Sequence, residues 1–219
     1  MTRTEVRARI EEIGILPAIR VSAPERARFA LEAVNRAGIP VAEVTMTVPG
    51  ALDVIFQMAK SLPDMVIGAG TVLDVETARR CLDAGARFLT SPGLVLEVVE
   101  FALKHDVVVF PGALTPTEVI TAWKAGADFV KIFPCAEVGG HHYIRTLKVP
   151  LPQVRLIASG GVNQQTAFDF ILAGASALGI GGELIPQEAL NKRQETQIHE
   201  LARRFLHIVK DARAQKEST

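Results

Sequence analysis

Within Phe129-Val130-Lys131-Ile132-Phe133-Pro134 a single lysine interrupts an apolar, β-branched and aromatic run that reads as a buried strand. A lone ammonium is costly to bury, so the position calls for a reason. A lysine amine held in apolar surroundings is more readily neutral, and the neutral amine can attack a carbonyl carbon to form a Schiff base. A lysine that snorkels from a strand end or neutralises a carboxylate is the plainer alternative. Glu43 is the only carboxylate within the strand-like stretches. Schiff-base chemistry needs such a group, because carbinolamine formation, dehydration and the carbon–carbon step each move a proton. An ordinary lysine, of pKa about 10.4, is neutral in roughly one molecule of a few thousand at pH 7. A charged carboxylate in contact lowers that fraction, so a water or substrate atom is expected between the two groups.

The elements that position these residues follow from periodicity. Strand-like stretches cover residues 16–21, 41–47, 65–72, 87–93, 107–113, 129–134, 155–161 and 177–182, with helical patterns between them. Four Ala-Gly pairs, Ala37-Gly38, Ala84-Gly85, Ala125-Gly126 and Ala173-Gly174, each close a helical pattern about every 40 to 50 residues. That is the spacing of two strand–helix units, as in successive quarters of an α/β (β/α)8 TIM barrel. Helix starts are signalled by Ser22 with Pro24 and Glu25, by Asp74, by Thr115 with Glu118, and by Asn163. A helix over residues 4–13, stopped by Gly14, precedes the first strand and is expected to plug one end. The tail from Gln194 places Ile198, Leu201, Phe205, Ile208 and Val209 at helical spacing, with fraying expected over residues 215–219. No linker or shift in composition divides the chain, so residues 1–219 read as one barrel domain.

Side chains alternate along a strand, so Val41, Glu43, Thr45 and Thr47 share one face, and Lys131 shares one with Phe129 and Phe133. The same parity groups Arg20 with Ala18 and Leu16, and Thr71 with Ala69 and Ile67. Arg20, Glu43, Thr71 and Lys131 then lie toward the C-terminal ends of four strands, where barrel enzymes build their sites. Gly160-Gly161 follows the seventh strand and Gly181-Gly182 the eighth. Each pair alone reads as a tight turn; together they read as a backbone cradle for an anion.

Lys and Arg balance Asp and Glu at 24 each, which gives no global field for nucleic acid or an anionic membrane. No apolar run is long enough to span a bilayer, and the first residues enter a charged amphipathic segment, so a soluble cytoplasmic protein is expected. Cys81 and Cys135 lie far apart without metal-ligand or redox spacing. His141 and His142 follow Gly139-Gly140 and read as exposed loop histidines.

The segments Ala18-Ile19-Arg20, Glu43-Val44-Thr45, Gly68-Ala69-Gly70-Thr71-Val72-Leu73, Ser91-Pro92-Gly93, Phe110-Pro111-Gly112, Lys131-Ile132-Phe133-Pro134 and Ser159-Gly160-Gly161-Val162 together resemble a known family. It comprises the class I aldolases acting on 2-keto-3-deoxy-6-phosphogluconate and their relatives active on 4-hydroxy-2-oxoglutarate. The resemblance implies a homotrimeric (β/α)8 barrel that needs no metal or organic cofactor and takes a small keto acid. Lys131 would hold pyruvate as the Schiff base, and Glu43 would shuttle protons through water. Thr71 and Pro92 would line the pyruvate pocket, and the glycine pairs would bind the substrate phosphate. The candidate substrate-binding set is Arg20, Thr71, Pro92, Phe133, Ser159, Gly160, Gly161, Gly181 and Gly182.

The chain departs from the family pattern at Thr47, where an arginine is common, and at Glu183, where a serine often helps hold the phosphate. Cys135 stands where small residues such as alanine are usual. The resemblance implies reversible retro-aldol cleavage of 2-keto-3-deoxy-6-phosphogluconate to pyruvate and glyceraldehyde 3-phosphate. Because the first two changes bear on the aldehyde half, cleavage of an unphosphorylated acid such as 4-hydroxy-2-oxoglutarate to pyruvate and glyoxylate is the alternative. A phosphosugar isomerase or epimerase, or a ligand-binding barrel without turnover, are the other classes. An isomerase would want two paired acid–base groups, and no histidine falls on a strand.

Overall fold

The computed structural model of the chain describes residues 1–218. It runs through α1 (Arg3–Ile13), β1 (Ile15–Ile19), α2 (Pro24–Arg36), β2 (Val41–Thr45), α3 (Ala51–Ser61), β3 (Val66–Gly70), α4 (Val75–Asp83), β4 (Phe88–Thr90) and α5 (Leu96–Lys104). It continues through β5 (Val108–Phe110), β6 (Gly112–Ala113), α6 (Pro116–Lys124), β7 (Val130–Ile132), α7 (His141–Lys148), β8 (Leu156–Ser159), α8 (Ala167–Leu172), β9 (Ala177–Ile180), α9 (Gln187–Asn191) and α10 (Glu195–Glu217). Every pairing is parallel, in the order β5-β4-β3-β2-β1-β9-β8-β7-β6. The stretch read as one strand over 107–113 is broken at Pro111, which has no N–H to donate. Because β5 and β6 are two pieces of that one strand, the ends of the order meet and the sheet closes as a (β/α)8 barrel.

The four Ala-Gly pairs end α2, α4, α6 and α8, with each glycine at a left-handed φ between +91° and +107°. Thr115 and Glu118 form a reciprocal capping box on α6, and Asp74 accepts from the Thr77 N–H on α4. The start of α2 differs from its sequence signal. Ala23, not Ser22, is the N-cap and makes no side-chain bond, so Pro24 at the first helical position sets the boundary. Asn163 caps one turn ahead of α8, its Oδ1 accepting from the N–H groups of Gln165 and Thr166 at 2.9 and 3.0 Å. The end of α10 is helical through Glu217, against the fraying expected from residue 215; Thr219 lies outside the described residues.

The lower barrel is filled by rings. Phe88 stacks on Phe110 with centroids 5.1 Å apart, and Phe110 meets Phe129 edge-on at 5.9 Å. Gly68 makes room for this layer, since a Cβ there would fall 2.2 Å from the Phe88 ring. Helix α1 closes the N-terminal end as expected, burying Val6 and Ile10 against strands from both halves of the barrel. Its Arg3 reaches Asp128, just ahead of β7, with guanidinium–carboxylate distances of 3.0–3.1 Å. Asp128 Oδ2 also accepts from the Val109 N–H at 3.0 Å, so this buried carboxylate is fully engaged.

Two stability predictions follow from these contacts. Asp128→Ala orphans the Val109 N–H and the Arg3 charge and should lower the unfolding free energy by about 2–4 kcal/mol. Denaturant melts will measure the loss, while KM should hold because the change lies at the end of the barrel away from the candidate site. Hydrogen bonds from Thr115, and then from the Leu114 N–H, hold the Glu118 carboxyl below its usual range. A depressed carboxylate contributes stability that is present above its unfolded pKa and is lost as pH falls through the folded value. Glu118→Gln should therefore flatten the acid limb of the stability–pH curve, and an unchanged limb would show that the capping box contributes nothing to it.

Candidate active site

The barrel brings Lys131 on β7 and Glu43 on β2 together in its interior, although they are far apart in sequence and lie on opposite sides of the sheet order. Lys131 Nζ lies 3.5 Å from Glu43 Oε1, and the two residues are only 8% and 1% exposed. The parity argument is met, but the atom expected between them is not, because at 3.5 Å the groups face each other directly. The second carboxylate oxygen, Glu43 Oε2, is buried without a hydrogen-bond partner among the described residues. Register explains part of this approach. Ala18 and Gly68 pair with Glu43 on its two sides, so small residues flank the carboxylate.

Gly70 makes room for Glu43, a part that strand reading did not single out. A Cβ there would lie 2.9 Å from both Cδ and Oε1 of Glu43 and 3.3 Å from Thr45 Cγ2. Its φ is not left-handed, so the carboxylate rather than the backbone excludes a side chain. Gly112 plays a similar part beside the lysine. It pairs with Lys131 in register, and a Cβ there would fall 2.1 Å from the Pro92 carbonyl oxygen. Pro92 is thereby brought against the strand next to Lys131. A glycine inside a strand was the available signal in both cases.

Gly68 and Gly70 are the inward-facing residues of β3, so Ala69 and Ile67 belong to the other face. The parity that grouped Thr71 with them does not carry its side chain inward. Thr71 sits just past β3 with φ +62°, a left-handed conformation unusual for a β-branched residue, and that turn ends the alternation. Such strain is kept where the surrounding structure imposes it, often at functional sites.

A cavity of about 440 Å³ opens at the C-terminal ends of β7, β8, β9 and β1. Arg20, Phe133, Ser159, Gly160, Gly161, Gly181 and Gly182 line it, as do Asn163, Glu183 and Gln187. Lys131, Glu43, Thr71 and Pro92 lie outside that lining. Phe133 joins the two regions, since it lines the cavity and its ring centroid is 5.7 Å from Lys131 Nζ. Arg20 stands one residue beyond β1 and is exposed; among the described residues it forms no ion pair.

The two glycine pairs differ in character. Gly160 and Gly161 have φ of +87° and +80°, and a Cβ on Gly161 would fall 2.1 Å from the Ala136 Cβ. The turn after β7 hydrogen-bonds back onto this pair's strand, Cys135 N–H to Ser159 O at 2.8 Å and Ala136 N–H to Gly160 O at 3.0 Å. This pair is therefore required by packing. Gly182 has neither a left-handed φ nor any atom within 4 Å of an added Cβ, so its chain leaves open space at the cavity. Cys135 is buried, and burial pushes its thiol up to about 12, which keeps it protonated at neutral pH. His141 and His142 begin α7 rather than occupying a loop; their rings lie 4.2 Å apart, and His141 meets Phe170 edge-on.

Comparison with known proteins agrees with this arrangement. The family described as KDPG and KHG aldolase (2-keto-3-deoxy-6-phosphogluconate and 2-keto-4-hydroxyglutarate aldolase) matches residues 6–201. The 2-dehydro-3-deoxy-phosphogluconate aldolase of Treponema pallidum is 31% identical, covering 91% of this chain and 95% of that protein. The KHG/KDPG aldolase of Escherichia coli K12 is 34% identical, covering 86% and 89% respectively. A crystal structure of the KDPG aldolase from Legionella pneumophila, with pyruvate captured at low pH as a covalent carbinolamine intermediate, superposes with a TM-score of 0.84. It is 29% identical, over 90% of this chain and 96% of that one. A barrel lysine facing a buried carboxylate, within a match that spans nearly the whole chain, places this chain in the KDPG and KHG aldolase family of class I aldolases.

Proposed function

We propose that this chain releases pyruvate from a 2-keto-3-deoxy-4-hydroxy acid by reversible retro-aldol cleavage, with Lys131 as the nucleophile and Glu43 as the proton carrier. The observation that carries the reading is the direct approach of Lys131 Nζ to Glu43 Oε1 at 3.5 Å inside the barrel. The neutral amine adds to the keto carbon, and loss of water leaves an iminium. That iminium accepts the electron pair of the bond between the third and fourth carbons as the 4-hydroxyl loses its proton and the aldehyde departs. The enamine is then reprotonated at the third carbon and hydrolysed, which frees pyruvate and the lysine. Glu43 Oε2, buried and unpartnered, is the oxygen available to take the hydroxyl proton and return it to carbon. The Pro92 carbonyl packed on Gly112, and the strained Thr71, support a pyruvate pocket beside Lys131.

For the phosphorylated six-carbon acid, the substrate in the relatives' names, the aldehyde is glyceraldehyde 3-phosphate; for 4-hydroxy-2-oxoglutarate it is glyoxylate. Glu183, which lines the cavity where the aldehyde half would lie, favours an unphosphorylated acid whose far end is uncharged; 4-hydroxy-2-oxoglutarate, which ends in a carboxylate, gains nothing from it. The chain acts as one barrel domain and, by its family resemblance, as a cytoplasmic homotrimer. Leu73 and Leu96, exposed after the adjacent strands β3 and β4, supply apolar surface suited to contact between copies.

Incubation with pyruvate and borohydride should leave a reduced adduct on Lys131 that mass spectrometry locates, and Lys131→Ala should abolish both adduct and turnover. Absence of the adduct under conditions that trap a control aldolase would remove the mechanism. Gly70→Ala should force Glu43 aside and lower kcat on the order of 10- to 100-fold, since small misplacements of a reacting group have effects of that size. Pyruvate trapping on Lys131 should persist in that variant. An unchanged kcat would mean that the position of Glu43 is not needed for proton transfer.

A further inference from the structure

We propose that Glu183 sets the preference of this site for a substrate whose far end is a neutral hydroxyl over one that ends in a phosphate; the inference rests on the aldolase reading above. Among the described residues Arg20 and Glu183 are the only ionisable side chains in the cavity lining, so its formal charges cancel. Neither forms an ion pair with any described residue, and both are exposed, so each is free to meet a ligand entering the cavity.

The donor and acceptor balance points the same way. A phosphate dianion has only acceptors and is held best where every neighbour donates. Glu183, when ionised, only accepts, and it adds like-charge repulsion. A hydroxyl both donates and accepts, so it can donate a hydrogen bond to Glu183 and accept one from Arg20. Asn163 completes the set. Its Oδ1 is committed to the Gln165 and Thr166 N–H groups, which leaves its amide NH2 as a donor. The end of β2 supplies no further cation. Thr45 donates to the Ile19 carbonyl at 3.1 Å, so the 2.7 Å contact between Thr45 and Thr47 has Thr47 as its donor. The space beside Gly182, where an added Cβ would meet nothing within 4 Å, leaves a ligand chain room to reach Glu183.

The test uses the full chain and compares kcat/KM for 2-keto-3-deoxygluconate and its 6-phosphate in the wild type, Glu183→Ser and Glu183→Gln. The wild type should favour the unphosphorylated acid. Both variants should shift the ratio toward the phosphate by roughly 10- to 100-fold, carried mainly by KM for the phosphorylated acid. Inorganic phosphate should compete better in both variants than in the wild type. A wild type that prefers the phosphate, or a ratio that neither variant moves, overturns the proposal and means that Glu183 turns to solvent in the complex. Borohydride trapping of pyruvate separates the two readings. Trapping together with a preference for phosphate overturns this inference alone, whereas no trapping and no cleavage of either acid overturns the aldolase reading and this one with it.

Discussion

The interaction on which the structure depends is the burial of an ammonium and a carboxylate together in the barrel. Desolvating two charges costs several kcal/mol per ion, and their attraction offsets this only when geometry and additional hydrogen bonds are favourable. A second pair, Arg3 and Asp128, has a buried carboxylate but a partly exposed guanidinium, and the two pairs are finished differently. Arg3 and Asp128 meet through several contacts of 3.0–3.1 Å, and a backbone N–H donates to the same carboxylate. Lys131 and Glu43 stand 3.5 Å apart with one carboxylate oxygen unpartnered. The Arg3 pair is saturated and seats α1 on the end of the barrel. The Lys131 pair keeps capacity in reserve, which a proton carrier needs and a structural bridge does not.

Much of the surrounding sequence exists to permit the contact between Lys131 and Glu43. The rings of Phe88, Phe110 and Phe129 form an apolar floor, and Gly68 admits them. Gly70 leaves space for the carboxylate, and Gly112 lets the Pro92 backbone press against the strand beside the lysine. Removing side chains at these three positions leaves room for the Phe88 ring, the Glu43 carboxylate and the Pro92 backbone. Interiors are packed too closely for such space to arise without small residues.

The barrel and its buried lysine–carboxylate pair were legible because they rest on periodicity. Alternation along strands put Lys131 and Glu43 on inward faces, and the Ala-Gly repeat marked successive quarters. What escaped depended on three-dimensional neighbours or on single backbone angles. Thr71 was assigned by an alternation that its own left-handed φ ends. Ser22 looked like a cap, yet the proline two residues later sets the helix start. Asp128 lay one residue outside a strand-like run, and only the fold shows that it is buried and paired. Pro111 breaks a stretch that reads as continuous, because pattern does not register a missing donor. Gly160 and Gly161 line the cavity where the sequence put an anion cradle, and their φ values and packing on the turn after β7 add a second reason for glycine that needed the fold to be seen.

The two halves of the proposed reaction are built on different kinds of structure. The pyruvate half rests on strand residues whose positions are fixed by register and by packing on both sides of Glu43 and Lys131. The aldehyde half would face the cavity formed by loop residues beyond the strand ends, Arg20, Asn163 and Glu183 among them. A substitution in the strands must be accommodated by a close-packed interior, while one in the loops changes only what the cavity presents to a ligand. Chemistry at the keto carbon can therefore stay constant across such a scaffold as preference for the rest of the molecule shifts. Exchanging a hydroxyl for a carboxylate at position 183 is a change of that second kind. It alters the charge of the cavity without touching the lysine, so the proposed reaction rests on Lys131 and the proposed substrate on the loops.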